Sequence, residues 1–163
     1  MAEAQVKQGG RTKKLILVVD DDCDLNDLLC SVLEDSGYET MPALDGESAV
    51  AMMKEHRPDL VLLDYILPDI NGIEVFKRIH NEEELRETPV IMVSGRNDVQ
   101  TKIASFSAGA RRYISKPFEN EALIGEVGKT LMQHERSRIA KQYHDEYGIT
   151  GDYGNIDFTE EKK

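Results

Sequence analysis

Three consecutive aspartates, Asp20, Asp21 and Asp22, close the apolar run KLILVV at residues 14–19, and a fourth, Asp64, closes DLVLL at 59–63. A single acid after a strand usually caps the helix that follows. A pair of acids on one strand end and a lone acid on its neighbour is different, because several carboxylates at one rim repel unless protons or a cation compensate. Mg²⁺, or Mn²⁺ in its place, answers that need: it is hard, prefers oxygen, and commonly joins one or two carboxylates to a phosphate. Asp64 could then be a ligand, a general base, or a nucleophile that forms an acyl phosphate. Phosphoryl transfer is mostly positioning and charge neutralisation, so it calls for a metal, a cation and hydroxyl or amide donors. Ser94, at the end of PVIMVS, offers the hydroxyl, and Lys116, after RRYIS, offers the point charge.

The elements that must bring these residues together follow from periodicity. KLILVV is a buried strand, and Asp22 or Asp24 can cap a helix in which Leu25, Leu28, Leu29, Val32 and Leu33 recur. Gly37 ends it. A short strand over 38–43 leads to a helix from about Gly46 to His56, with Ala49, Val50 and Met53 inward and Pro58 barring continuation. Strand 59–64 and the loop YILPDING precede a helix opened by Asn71 and bearing Ile73, Phe76 and Ile79; NEEELRETP, a charged connector, can prolong it. Strand 89–94, a helix with Ile103 and Phe106 closed near Gly109, strand 112–115 and a helix from about Glu119 complete the run. That last helix turns Leu123, Ile124, Val127 and Leu131 inward. Five strand-then-helix units without hairpins predict a doubly wound five-stranded parallel sheet, helices on both faces. In such sheets function collects at the carboxyl ends of the strands, where Asp20, Asp21, Asp64, Ser94 and Lys116 all fall.

Composition narrows the classes. Apolar residues at 40% suffice for a core, and 163 residues make one domain with short tails. A net charge of −11 argues against a phosphate-backbone binder, so no nucleic-acid partner is expected. No run approaches the ~20 apolar residues of a membrane span, and MAEAQVKQGGRTKK lacks the apolar stretch of a signal peptide. Cys23 and Cys30 lie about 10 Å apart along one helix, too far for a disulfide. Two free thiols suit the cytoplasm. Residues 1–12 are expected to be mobile, 13–132 to form the domain, and 133–163 to continue the last helix and then lose order.

The sequence resembles the CheY-like receiver family over about residues 13–132. The pieces are V-V-D-D at 18–21, D-L-V-L-L-D-Y-I-L-P-D-I-N-G at 59–72, P-V-I-M-V-S-G at 89–95 and G-A-R-R-Y-I-S-K-P-F at 109–118. Each is weak alone; all four in order are specific. The resemblance implies strand order 2-1-3-4-5 and a phosphorelay role. It makes Asp64 the phosphoacceptor, and Asp20, Asp21, Asp64 and the Ile66 carbonyl the metal ligands. Ser94, with Gly95 beside it, would be the switch position, Tyr113 the aromatic that follows it inward, and Lys116 the lysine that pairs with the phosphoryl group. Pro117 would form a cis peptide that aims Lys116. Ile66 and Arg96 flank the approach of hydrolytic water and would tune dephosphorylation.

The partners implied are a sensor histidine kinase or phosphotransfer protein and a downstream protein target, with a phosphorylation-dependent homodimer left open. The 31 residues after Met132 are too few for a typical output domain, so a stand-alone or nearly stand-alone receiver is expected. Two rivals remain. A haloacid-dehalogenase-type phosphatase shares the topology and an Asp-x-Asp start, but position 24 is Asp, and the late acidic pair and the cap are missing. A degenerate receiver used as a scaffold is opposed by the intact acids, Ser94 and Lys116.

Overall fold

The computed structural model describes residues 11–148. Ten elements alternate: β1 Leu15–Val19, α1 Cys23–Asp35, β2 Glu39–Ala43, α2 Gly46–His56, β3 Leu60–Leu63, α3 Gly72–Asn81, β4 Val90–Ser94, α4 Val99–Ala108, β5 Arg112–Ser115 and α5 Asn120–Tyr147. All strand pairings are parallel, in the order β2-β1-β3-β4-β5. This is the architecture that strand-helix alternation predicts.

The continuous apolar runs arise because the sheet is covered on both faces. Leu17, Val19, Val61, Leu63, Val90 and Met92 point to one side, where they meet Ala49 and Met53 of α2 and Val75, Phe76 and Ile79 of α3. The alternate residues Ile16, Val18, Leu60, Leu62, Ile91 and Val93 meet Leu29 and Leu33 of α1 and Leu123 and Val127 of α5. Full burial of such a side chain contributes about 1.5–3 kcal/mol.

Helix ends follow the local chemistry. Asp22, Asp45, Asn71 and Asp98 cap α1 to α4 through side-chain acceptors, while Glu119 leads α5 without one. Gly109 closes α4 at φ 112°, a left-handed position that costs glycine nothing. Arg57 ends α2 at φ 48°, since the following Pro58 disfavours helical backbone at the preceding residue.

Three details differ from expectation. The connector after α3 does not prolong it: α3 stops at Asn81, and buried Leu85 ties the connector to the core. On α4 the inward residues are Thr101 and Ser105, whose hydroxyls bond to Asp98 and to the Thr101 carbonyl, while Val99, Ile103 and Phe106 face outward. Leu28 on α1 is likewise exposed. The last helix, α5, runs on through Tyr147, well beyond the last core residues, into the segment expected to continue it. Most of the expected N-terminal tail, residues 1–10, and the end of the C-terminal extension, 149–163, lie outside the described residues. Both cysteines, on α1, are free thiols. Among the described residues no helix is long and apolar enough to cross a membrane.

Candidate functional site

The parallel register places the ends of β1, β3 and β4 on one rim. The Asp64 N–H donates to the Val19 carbonyl at 3.0 Å, extending the β1–β3 ladder past both strands and setting Asp64 beside the acids that follow β1. Asp20 and Asp64 are buried, at 2% and 7% exposure, whereas Asp21 is exposed. One carboxylate oxygen from each of the three lies within 4.8 Å of the others.

Lys116 crosses this group. The β4–β5 pairing continues as Lys116 N–H donates to the Ser94 carbonyl at 3.0 Å. Its Nζ then reaches Asp20 Oδ2 at 2.6 Å and Asp64 Oδ2 at 2.9 Å. Burial works to lower the Lys116 pKa, but the hydrogen bonds to Asp20 and Asp64 outweigh it and hold the ammonium above the usual lysine range. The Lys116-Pro117 peptide is cis. Backbone amides take the other oxygens: Asp22 N–H donates to Asp20 Oδ1 at 2.9 Å and Ile66 N–H to Asp64 Oδ1 at 3.2 Å. Asp21 has no hydrogen bond or ion pair among the described residues.

Three carboxylates against one ammonium leave about two negative charges on a rim of hard oxygen donors. That donor set fits a small divalent cation.

Ser94 is fully buried at the end of β4, and its Oγ accepts the Arg96 N–H at 3.2 Å. Gly95, between them, is exposed and makes the turn. The hydroxyl of half-buried Tyr113 donates to the Arg96 carbonyl, and Lys102 lies 5.6 Å over its ring. Burial raises the Tyr113 pKa, so the phenol stays protonated. The Arg96 guanidinium pairs with Asp98 at 3.1 Å and sits 5.6 Å over the Tyr65 ring. It therefore lies at the exposed surface, held by Asp98, and does not reach for the acids. Ile66 is 56% exposed beside Asp64.

Two residues escaped the sequence reading. Asp69 accepts the N–H groups of Gly46 and Glu47, both at 2.8 Å, tying the β3–α3 loop to the start of α2. Asn26 is completely buried under the acidic turn. Its signal was available: Asn26, Leu29 and Leu33 share a helix face, so a polar residue stands at a core position.

A family model for the response regulator receiver domain matches residues 16–128. The chain belongs to the response-regulator receiver family. It is thus a two-component signalling module acting in phosphorelay, a regulator rather than a classical enzyme. The receiver is 36% identical over 121 residues to the DNA-binding dual master transcriptional regulator RpaA of Synechocystis, covering 74% of this chain and 50% of that one. It is 36% identical over 118 residues to the phosphate regulon transcriptional regulatory protein PhoB of Escherichia coli, covering 72% and 51%. A CheY-like receiver from Methanospirillum hungatei superimposes with a TM-score of 0.74 at 31% identity, covering 77% of this chain and 99% of that one. NtrX from Brucella abortus gives 0.77 at 32%, covering 86% and 31%.

The receiver spans about half the length of the curated relatives it matches. One expectation is overturned here. The exclusion of nucleic acid does not stand, since relatives are named as DNA-binding regulators. Net charge over 163 residues describes this surface alone, and says nothing of what a longer regulator binds.

Proposed function

We propose that the receiver accepts a phosphoryl group on Asp64 from the phosphohistidine of a sensor histidine kinase or phosphotransfer protein. The observation that carries this reading is Lys116 Nζ, held between Asp20 and Asp64 within hydrogen-bond reach of both. An Asp64 oxygen attacks phosphorus, the bond from phosphorus to the donor imidazole breaks, and the imidazole leaves with the electron pair. Lys116 already sits where negative charge accumulates on the phosphoryl oxygens, so its ammonium needs little reorganisation. Asp20, Asp21, Asp64 and the Ile66 carbonyl would hold Mg²⁺ or Mn²⁺. When bound, the cation supplies charge neutralisation for the acids and the phosphoryl oxygens.

Once Asp64 is phosphorylated, Lys116 exchanges a carboxylate for a phosphoryl partner and the buried Ser94 hydroxyl gains an acceptor. Tyr113 is joined to that segment through the Arg96 carbonyl. A shift at Ser94 therefore reaches the surface of α4, β5 and α5 through a two-state rearrangement. That surface would bind a downstream protein or a second receiver. The receiver would also catalyse slow hydrolysis of its own acyl phosphate.

The domain proper would run from 13 to 132, with 133–163 as an extension, in the cytoplasm. The names of the relatives support an output at DNA for a longer protein that carries this receiver. The test is a mass measurement after acetyl phosphate and Mg²⁺. Wild type should gain one phosphoryl group and Asp64→Asn none. Equal labelling of the variant would refute the acceptor, and steady turnover of a generic phosphate ester would favour a phosphatase.

A further inference from the structure

Asn26 sits in the second turn of α1, with no exposed surface. Its side-chain amide donates to three carbonyls, Val18, Asp20 and Ala43, each at 3.1 Å. Its Oδ1 faces the Cys30 thiol at 3.5 Å. These carbonyls cluster where β1 and β2 end, and the Ala43 carbonyl also receives the Asp20 N–H at 3.1 Å. The Asp20 carbonyl belongs to the peptide that joins Asp20 to Asp21. Whatever holds it sets how the second acid is presented relative to the first.

We infer that Asn26 is a positioning residue for the acidic pair. It anchors the Asp20–Asp21 peptide plane to the ends of two strands, so that Asp21 meets Asp20 and Asp64 at ligand spacing. The inference rests on the proposed cation site and goes one step beneath it, to the group that orients the ligands. One amide has only two N–H bonds, so the three acceptors share them, and no aliphatic side chain can replace that arrangement. The buried carbonyls would otherwise be left without those donors.

Groups that orient metal ligands typically change affinity by 10–100-fold when removed. In Asn26→Leu the Mg²⁺ dissociation constant, measured by calorimetry on the full chain, should therefore rise about tenfold or more. Labelling by acetyl phosphate should slow at low Mg²⁺ and recover at high Mg²⁺. Asn26→Ser, which keeps one hydroxyl donor, should lose less and serves if the leucine variant fails to fold. Leu29→Ala, from the same buried helix face but touching no acid, is the control for lost stability; its Mg²⁺ affinity should match wild type.

If wild type binds Mg²⁺ and the folded Asn26 variants bind equally well, Asn26 is structural only. Its role is equally structural if Leu29→Ala loses as much affinity. If wild type itself shows no Mg²⁺ binding, the cation site fails and the inference with it.

Discussion

Removing the charge of Asp21 should move stability in opposite directions with and without metal. Asp21 is exposed, has no bonded partner among the described residues, and lies with Asp20 and Asp64 in a cluster whose ligand oxygens are within 4.8 Å of one another. At that separation two like charges repel by about 3.5 kcal/mol at an effective dielectric of ~20, and by about 0.9 kcal/mol in bulk water. The Lys116 ammonium offsets roughly one of the two repulsions. An exposed carboxylate belongs near the watery limit, so Asp21→Asn should stabilise the metal-free domain by about 1 kcal/mol. For a domain of this size that is about 4 °C in melting temperature. Sodium chloride should shrink the difference, because screening acts on exposed charge.

With Mg²⁺ the order should invert. At one hundred times its dissociation constant the metal adds about 2.7 kcal/mol to wild type, and a variant with about hundredfold weaker affinity gains only about 0.4 kcal/mol. Thermal melts of both proteins at low salt, with EDTA and with millimolar Mg²⁺, should therefore cross. A metal-free variant no more stable than wild type would sink the repulsion argument. An unchanged Mg²⁺ response would remove Asp21 from the ligands.

Three further expectations concern the same rim. A Cβ at Gly72 would run into the Asp64 carbonyl oxygen and lie 3.0 Å from Met92 Cε, so Gly72→Ala should cost about 1–3 kcal/mol in denaturant titrations and slow Asp64 labelling. Asp69 and Asp98 are both held at about 2, against an ordinary 3.8, chiefly by the Gly46 and Thr101 backbone N–H groups respectively. Carboxyls depressed in this way stabilise the fold above pH ~4 and cease to do so as pH falls towards 2, so Asp69→Asn should flatten the acid-unfolding curve in that window. Ile66, exposed beside Asp64, offers no hydrogen bond to an in-line water; Ile66→Asn should hydrolyse the acyl phosphate about tenfold faster, about 1.4 kcal/mol in the barrier, and equal decay rates would refute it.

Strand-helix alternation was legible because a sheet buried on both faces leaves unbroken apolar runs, and because Asp22, Asn71 and Gly109 carry their capping chemistry in their side chains or lack of one. The acids, Ser94 and Lys116 were legible as a group because parallel topology sends every strand's carboxyl end to one rim. Where tertiary context decides, the sequence was silent. Ile103 and Phe106 share a helical face, yet that face points outward, and Thr101 and Ser105 go inward because their hydroxyls are satisfied locally. Arg96 could be placed near the site by its offset from Ser94, but its pairing with Asp98 is a matter of rotamer. Asp69 caps a helix that begins 23 residues before it, and nothing in local sequence announces a contact of that range.

The length of α5 has a mechanical consequence. A straight helix is stiff, and the stretch from Leu131 to Tyr147 rises about 24 Å beyond its last buried turns. Against the connector after α3 it is tied by Lys141 and Glu87, an exposed pair at 3.9 Å that holds weakly. Its root lies four residues from Lys116. A tilt of about 5° there sweeps the Tyr147 end, about 40 Å away, through roughly 3.5 Å, enough to change which side chains meet at the tip while every contact at the root moves by less than a bond length. The helix is thus a long arm whose root begins four residues past Lys116, the side chain that spans Asp20 and Asp64.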